Sequence, residues 1–305
     1  MIEITRVQDG PIIHQAMHPS LGDNINGPSL IHIPDSIADP LGRYYLYFSH
    51  HKGQHIRLAF ANRVEGPWTI HPSGVMPLET SPFAQTKPDV PQPAWAVVQN
   101  TDGLYPHLAS PDVLIEPDGA LQMYVHGLDA SGEQVTHHAV SADGLDWSFK
   151  ELVIPDTYLR IFDWRGSTYA MARCSRIWRK GPTGWEAGEI GIDPSVRHVA
   201  VLLRGSLLQV LYTRIGDAPE HLLHTSIELG SDWRKWRPSA PPTAVLYPER
   251  NWEGAGLPAS PSQIGAVDFA NALRDPCLFE DQDKVWLVYA GGGEDALGLA
   301  EITGL

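Results

Sequence analysis

The chain has 305 residues and a formal net charge of −14, with 22 Lys and Arg against 36 Asp and Glu. With 10 Trp and 43% hydrophobic residues it is too apolar and aromatic for disorder, and its 28 Gly and 26 Pro follow no collagen period. Two cysteines cannot build a disulfide framework, and the acidic balance argues against a nucleic-acid partner.

The N-terminal stretch MIEITRVQDGPIIH has no basic start followed by a long apolar run, and no segment approaches the ~20 apolar residues of a spanning helix. The expectation is a cytoplasmic chain with no membrane partner. Short runs rich in Val, Ile, Leu, Tyr and Trp then recur between turn dipeptides, as in RYYLYFSH (43–50), QMYVHG (122–127), HVAVLLRG (198–205) and VWLVYAGG (285–292). No segment keeps a helical period over three turns, so little helix is expected.

These runs form an internal repeat. A short apolar strand opens each unit, a strand ending in Tyr and a third strand follow, and a turn with Gly, Asp and Trp closes it. The units span about residues 26–68, 107–147, 159–185, 197–236 and 273–305, the third being degenerate. Five units of about four strands predict an all-β, single-domain, five-bladed β-propeller. Two Pro- and Ala-rich insertions, about 70–106 and 238–272, interrupt the repeat, and long loops of this kind often wall a site.

In a propeller, one channel mouth collects residues from the start of every inner strand. The polar residues there are Asn24, Asn26 and Ser29; His107, Ser110 and Asp112; Arg160 and Asp163; Arg197 and His198; and Asn271, Arg274 and Asp275. Histidines are also frequent nearby: His50, His51 and His55 follow the first unit's middle strand, and His126 holds the matching place in the second. A histidine can serve as acid or base near neutral pH. No GxSxG elbow, phosphate loop or HExxH spacing is present.

The starts SPDV (110–113) and LRDPCLF (273–279), with the GPW turn (66–68) and the five-unit pattern, resemble the five-bladed propeller glycosidases. These include glycoside hydrolase families 43, 32, 62 and 117 and the phosphorylases of family 130, with families 43 and 117 the nearest in pattern. The resemblance implies a hydrolase acting on a small carbohydrate by general acid/base catalysis, by inversion, with no required cofactor. It implies that Asp112 orients the sugar or tunes the acid. A proton would come from His51, His126 or Glu253. Asn24, Asn26, His107, Arg160, Arg197, Arg274 and Asp275 would bind substrate. His198 is the candidate ligand for a Ca²⁺ or other divalent ion in the channel.

The chain departs from that pattern in two respects, and one is that the third unit offers Asp163 but no clear Glu for the acid. The first unit opens Asn26-Gly27-Pro28 where the hydrolases carry Asp, and Asn cannot act as a general base. Replacement carboxylates are Asp23, Asp217, Glu220, Glu253 and Glu294. Two other readings fit a mouth rich in His and poor in free Glu: a lyase on oligouronates using His and Arg, and a non-catalytic sugar-binding propeller.

Overall fold

A computed structural model describes residues 2–265 and 267–305. The chain begins with β1 (Glu3–Arg6) and β2 (Ile13–His14). The first blade holds β3 (Asn26–His32), β4 (Tyr44–Ser49), β5 (His55–Ala61) and β6 (Thr69–Pro77). A short helix, α1 (Ala94–Gln99), leads to the second blade of β7 (Leu108–Ile115), β8 (Leu121–Leu128), β9 (Gln134–Ser141) and β10 (Ser148–Ile154). The third holds β11 (Arg160–Trp164), β12 (Ser167–Met171), β13 (Arg176–Gly181) and β14 (Gly184–Ile190). The fourth holds β15 (Val196–Arg204), β16 (Leu207–Arg214), β17 (Leu222–Glu228) and β18 (Thr243–Leu246). The fifth, β19 (Leu273–Asp281), β20 (Lys284–Gly291) and β21 (Ala296–Thr303), takes its outer strand from β1. Five antiparallel sheets thus make a five-bladed propeller, and the ring closes by pairing Glu3 to Arg6 with Ala300 to Thr303.

Each outer strand lies beyond the Trp turn that seemed to close its unit. β6, β10 and β14 follow Trp68, Trp147 and Trp185 directly or share the last of these, and β18 lies inside the second insertion. The physical reason is exposure. Outer strands face water on one side, so β6 alternates weakly and includes a Pro and a Gly, whereas β4 is buried at every position. The Trp turns pack between neighbouring blades. Trp68 joins the core between the fifth and first blades, and Trp236 joins that between the third and fourth.

Four of the five inner strands share an interruption near their starts. Register shifts fall between Asn26 and Ser29, Ala109 and Asp112, Val196 and Val199, and Arg274 and Cys277. In three of them a left-handed residue precedes a proline: Gly27-Pro28, Ser110-Pro111 and Asp275-Pro276. Proline cannot donate to the ladder, so it fits where pairing is broken, and the bulge re-aims the side chains beside it. Gly27 has a second constraint: a Cβ there would meet the Ser110 backbone at 2.8 Å.

This phasing corrects the placement of Asp112. The repeat position equivalent to Asp275 is Ser110, two residues earlier. Asp112 instead accepts from the Ile161 N–H at 2.8 Å and pairs with Arg160 at 3.3 Å. Arg160 also donates to the carbonyls of Pro111 and Pro28, both at 2.9 Å. The pair ties the first three blades together and lines a cavity of about 600 Å³ toward the other end of the channel, with Ile31, Ile33 and Phe279. Asp112→Asn should therefore cost about 1–3 kcal/mol of stability, read by urea unfolding, and leave chemistry at the mouth intact.

Candidate active site

A carboxylate network braces the mouth. Glu294, in the turn after β20, accepts from Asn24 Nδ2 at 2.8 Å, Asn26 Nδ2 at 2.9 Å and Arg274 Nη1 at 3.0 Å. His51 Nδ1 lies 3.3 Å from the same carboxylate. Arg274 Nε donates to Glu220 at 2.9 Å, and Glu220 also accepts from Arg197 Nε at 2.7 Å and Thr213 Oγ1 at 2.8 Å. Glu220 and Glu294 are buried, but two guanidiniums, a hydroxyl and two amides satisfy them. Burial alone would push Glu294 up, yet His51, Arg274 and Asn24 hold it well below the usual carboxylate range.

Asp275 makes a second unit. It accepts from the Gly27 N–H at 3.2 Å and sits 2.5 Å from His198 Nδ1. Burial works against its charge, but His198 wins and its carboxyl is held low. His198 Nε2 is buried without a hydrogen-bond partner among the described residues, and the Tyr158 ring meets the imidazole edge-on at 4.0 Å.

An aromatic arc continues around the mouth. Tyr158 meets His126 at 4.4 Å, His126 meets His107 at 5.8 Å, and Tyr105 lies between His107 and His51 at 4.9 and 6.1 Å from their ring centres. Asn26, His51, Tyr105, His107, His126 and Tyr158 line one cavity of about 70 Å³. Trp95 from the first insertion and Ile264 and Gly265 from the second roof it. His51 also opens onto an adjoining recess of about 400 Å³ with Asp23, Asn24, Lys52 and Glu294. The narrow cavity is far below the ~300 Å³ of usual ligand pockets, so a ligand of that size would extend into the recess.

The two cavity histidines proposed to carry the proton have opposite surroundings. His51 backs onto Glu294. His126 has no hydrogen bond to any described residue; burial first, then His107, His198, His51 and Arg173, drive its proton affinity well below the ordinary value. It is therefore neutral at pH 7. His107 Nδ1 donates to the Tyr105 carbonyl, 2.8 Å away, and burial pushes its pKa down to about 4. Burial likewise raises Tyr158 to about 12, so its phenol keeps its proton.

These depressed histidines predict acid sensitivity. The unfolded chain takes up protons near 6.5, while folded His107 waits until about 4. Below 6.5 the unfolded state binds more protons, so stability falls as pH drops through that window. His107 alone accounts for on the order of 3 kcal/mol, and His107→Gln should flatten the fall in urea midpoint between pH 7 and 5.

Glu253 is placed elsewhere. It is fully buried beside β1, bonded to Arg6 Nε at 2.8 Å, Tyr289 Oη at 2.8 Å and the Glu249 and Arg250 N–H groups. It anchors the closing strand, lines no part of the mouth and has no free oxygen for proton transfer. The path of a long insertion could not be read from its composition. Asp275 holds His198 Nδ1 and leaves Nε2 open, but among the described residues no three His, Cys, Asp or Glu side chains converge on a point to complete a ligand set. Tyr105 and Tyr158 were not singled out by sequence. Tyr158 was findable, since its left-handed backbone opens the third inner strand as Ser110 and Asp275 do the second and fifth.

No family model matches the sequence. An uncharacterised protein of Acanthamoeba polyphaga mimivirus is 29% identical over 308 aligned residues, covering 92% of this chain and 83% of that protein. Among solved structures, a family 43 β-xylosidase/α-arabinofuranosidase from a compost microbial metagenome, in complex with xylotriose, superposes with a TM-score of 0.60 at 13% identity. That match covers 98% of this chain and 94% of the other. A family 43 enzyme from Xanthomonas citri gives 0.60 at 12% identity, with 98% and 91% covered. An α-L-arabinanase from Cellvibrio cellulosa, in complex with arabinohexaose, gives 0.51 at 14%, with 90% of each chain covered. The chain therefore has the five-bladed propeller fold of the family 43 glycosidases.

Proposed function

We propose that the chain hydrolyses a glycosidic bond in a small oligosaccharide at this mouth, using two histidines where the fold's carboxylates are committed to structure. The observation that carries this is the contrast between His51 and His126 in one cavity. A histidine backed by a carboxylate and an unpartnered histidine in one cavity can divide the donor and acceptor roles of the reaction. His51, with Glu294 behind Nδ1, is the donor and delivers a proton from Nε2 to the leaving glycosidic oxygen. His126, neutral and unpartnered, takes a proton from water as that water attacks the anomeric carbon. The C–O bond breaks, one product gains the water's hydroxyl, and the other gains the proton from His51. Asn24 and Asn26 keep Glu294 in place, and Trp95 offers a face for the sugar. The family 43 fold and the glycan complexes of its neighbours support a carbohydrate substrate.

One observation favours a second reading. The Tyr158 phenol stands between His126 and His198, the arrangement an elimination needs to remove one proton and return another. Mass spectrometry of oligosaccharides incubated in ¹⁸O-water separates the readings. Hydrolysis puts the heavy oxygen into a product; elimination gives a product without added water that absorbs in the ultraviolet. An untouched panel of neutral and acidic oligosaccharides would reject both and leave binding.

A further inference from the structure

The third blade carries the basic run Arg173, Arg176, Arg179 and Lys180, and the fold separates its members. Arg176 donates to the Gly188 carbonyl at 3.0 Å and lies 3.9 Å from Asp156. Arg179 pairs with Glu186 at 3.0 Å, and Lys180 is exposed. Arg173 alone of the four lines the mouth cavity, with His126, Thr157 and Tyr158, and its guanidinium makes no ion pair or hydrogen bond with a described residue.

The turn that puts it there is built against backbone preference. Cys174 and Ser175, directly after it, both have left-handed φ, 57° and 56°. Such residues persist only where the surroundings over-determine them, and they gather at functional sites. Here Ser175 Oγ accepts from the Ile192 and Asp193 N–H groups at 3.0 and 3.1 Å, and the Arg173 N–H donates to the Thr157 carbonyl at 2.9 Å. The other charged groups that line or brace the narrow cavity are paired, while Asp23, Lys52, Asp268 and Asp295 line the adjoining recess. Arg197 and Arg274 are matched by Glu220 and Glu294, and Asp275 by His198. Arg173 is an unmatched cation at the mouth of a chain whose net charge is −14.

We infer that Arg173 is an anion subsite, so that the sugar held at the mouth carries a carboxylate or a sulfate ester. This rests on the reading of the mouth as a glycan site. A guanidinium presents paired N–H donors in the geometry that either anion accepts.

The test is binding to matched oligosaccharides: a neutral member, its uronate form and its sulfate ester, followed through tryptophan fluorescence because Trp95 roofs the cavity. One anionic member should bind about tenfold or more tighter than the neutral one at low salt. Arg173→Gln should abolish that preference, Arg173→Lys should keep part of it, and Arg176→Gln should keep all of it. Comparing the uronate and sulfate arms identifies the anion. Equal binding of neutral and anionic members overturns the subsite while the glycan reading stands. No binding by any member overturns the glycan reading as well. Thermal unfolding of each variant separates a lost contact from a lost fold.

Discussion

Glu220→Gln should destabilise the chain by about 3–5 kcal/mol, the cost of leaving buried guanidinium charge uncompensated. Glu220 is fully buried, and its two oxygens serve Arg197, Arg274 and Thr213. The change is almost isosteric, so no cavity opens. What changes is that, among the described residues, Arg197 loses its one ion pair and Arg274 keeps that with Glu294. The new amide would also point donors at donors. These residues come from the fourth and fifth blades and the loop between β16 and β17, so the defect lies across a blade boundary rather than within one sheet. Urea unfolding should show a lower midpoint at an unchanged slope, and the melting temperature should fall by on the order of 10 °C. The exposed pair of Arg204 and Glu280 is the control: Glu280→Gln should cost under about 1 kcal/mol. Equal effects at the two sites would mean that the carboxylate network does not hold the mouth together.

The largest effect on activity should come from the two cavity histidines. His51→Gln and His126→Gln should each lower kcat/KM by about 10²–10⁴-fold, the usual worth of a positioned proton donor or acceptor. Their pH signatures should differ. Losing His126 removes the base, so the acidic limb of the rate profile should go; losing His51 removes the acid, so the alkaline limb should go. Glutamine keeps most of the volume and some hydrogen bonding at both places, so thermal unfolding should stay close to that of the unchanged chain. A single variant losing both limbs would contradict the division of roles.

Much of this molecule was legible in its sequence because inner and middle strands are buried on both faces and read as apolar runs. RYYLYFSH and VWLVYAGG are such strands, and they fixed the blade count. The outer strands face water, lose that pattern and fell outside the expected units. The closing strand, β1, is four residues long, and its partner β21 lies at the other end of the chain, a pairing no local pattern encodes. The mouth was legible where the repeat set the phase. Asn24, Asn26, Arg197 and Arg274 came from repeat positions and meet in one network, and Asp275 makes the unit beside it with His198. Asp112 was misread because a two-residue bulge at Ser110-Pro111 shifts which side chains face the mouth. Glu253 was misread because a carboxylate in a long insertion has no repeat position to place it. Glu220 and Glu294 stood among the replacement carboxylates, but their role as fully paired braces depends on contacts between blades.

The most direct test sets a mouth histidine against the carboxylate at the other end of the channel. Turnover of an oligosaccharide panel by the unchanged chain, His126→Gln and Asp112→Asn should be followed by product mass. The account predicts cleavage by the unchanged chain and by folded Asp112→Asn, with a loss of at least about 100-fold in His126→Gln. Cleavage retained by His126→Gln and abolished in Asp112→Asn would contradict it and return the chemistry to the carboxylate.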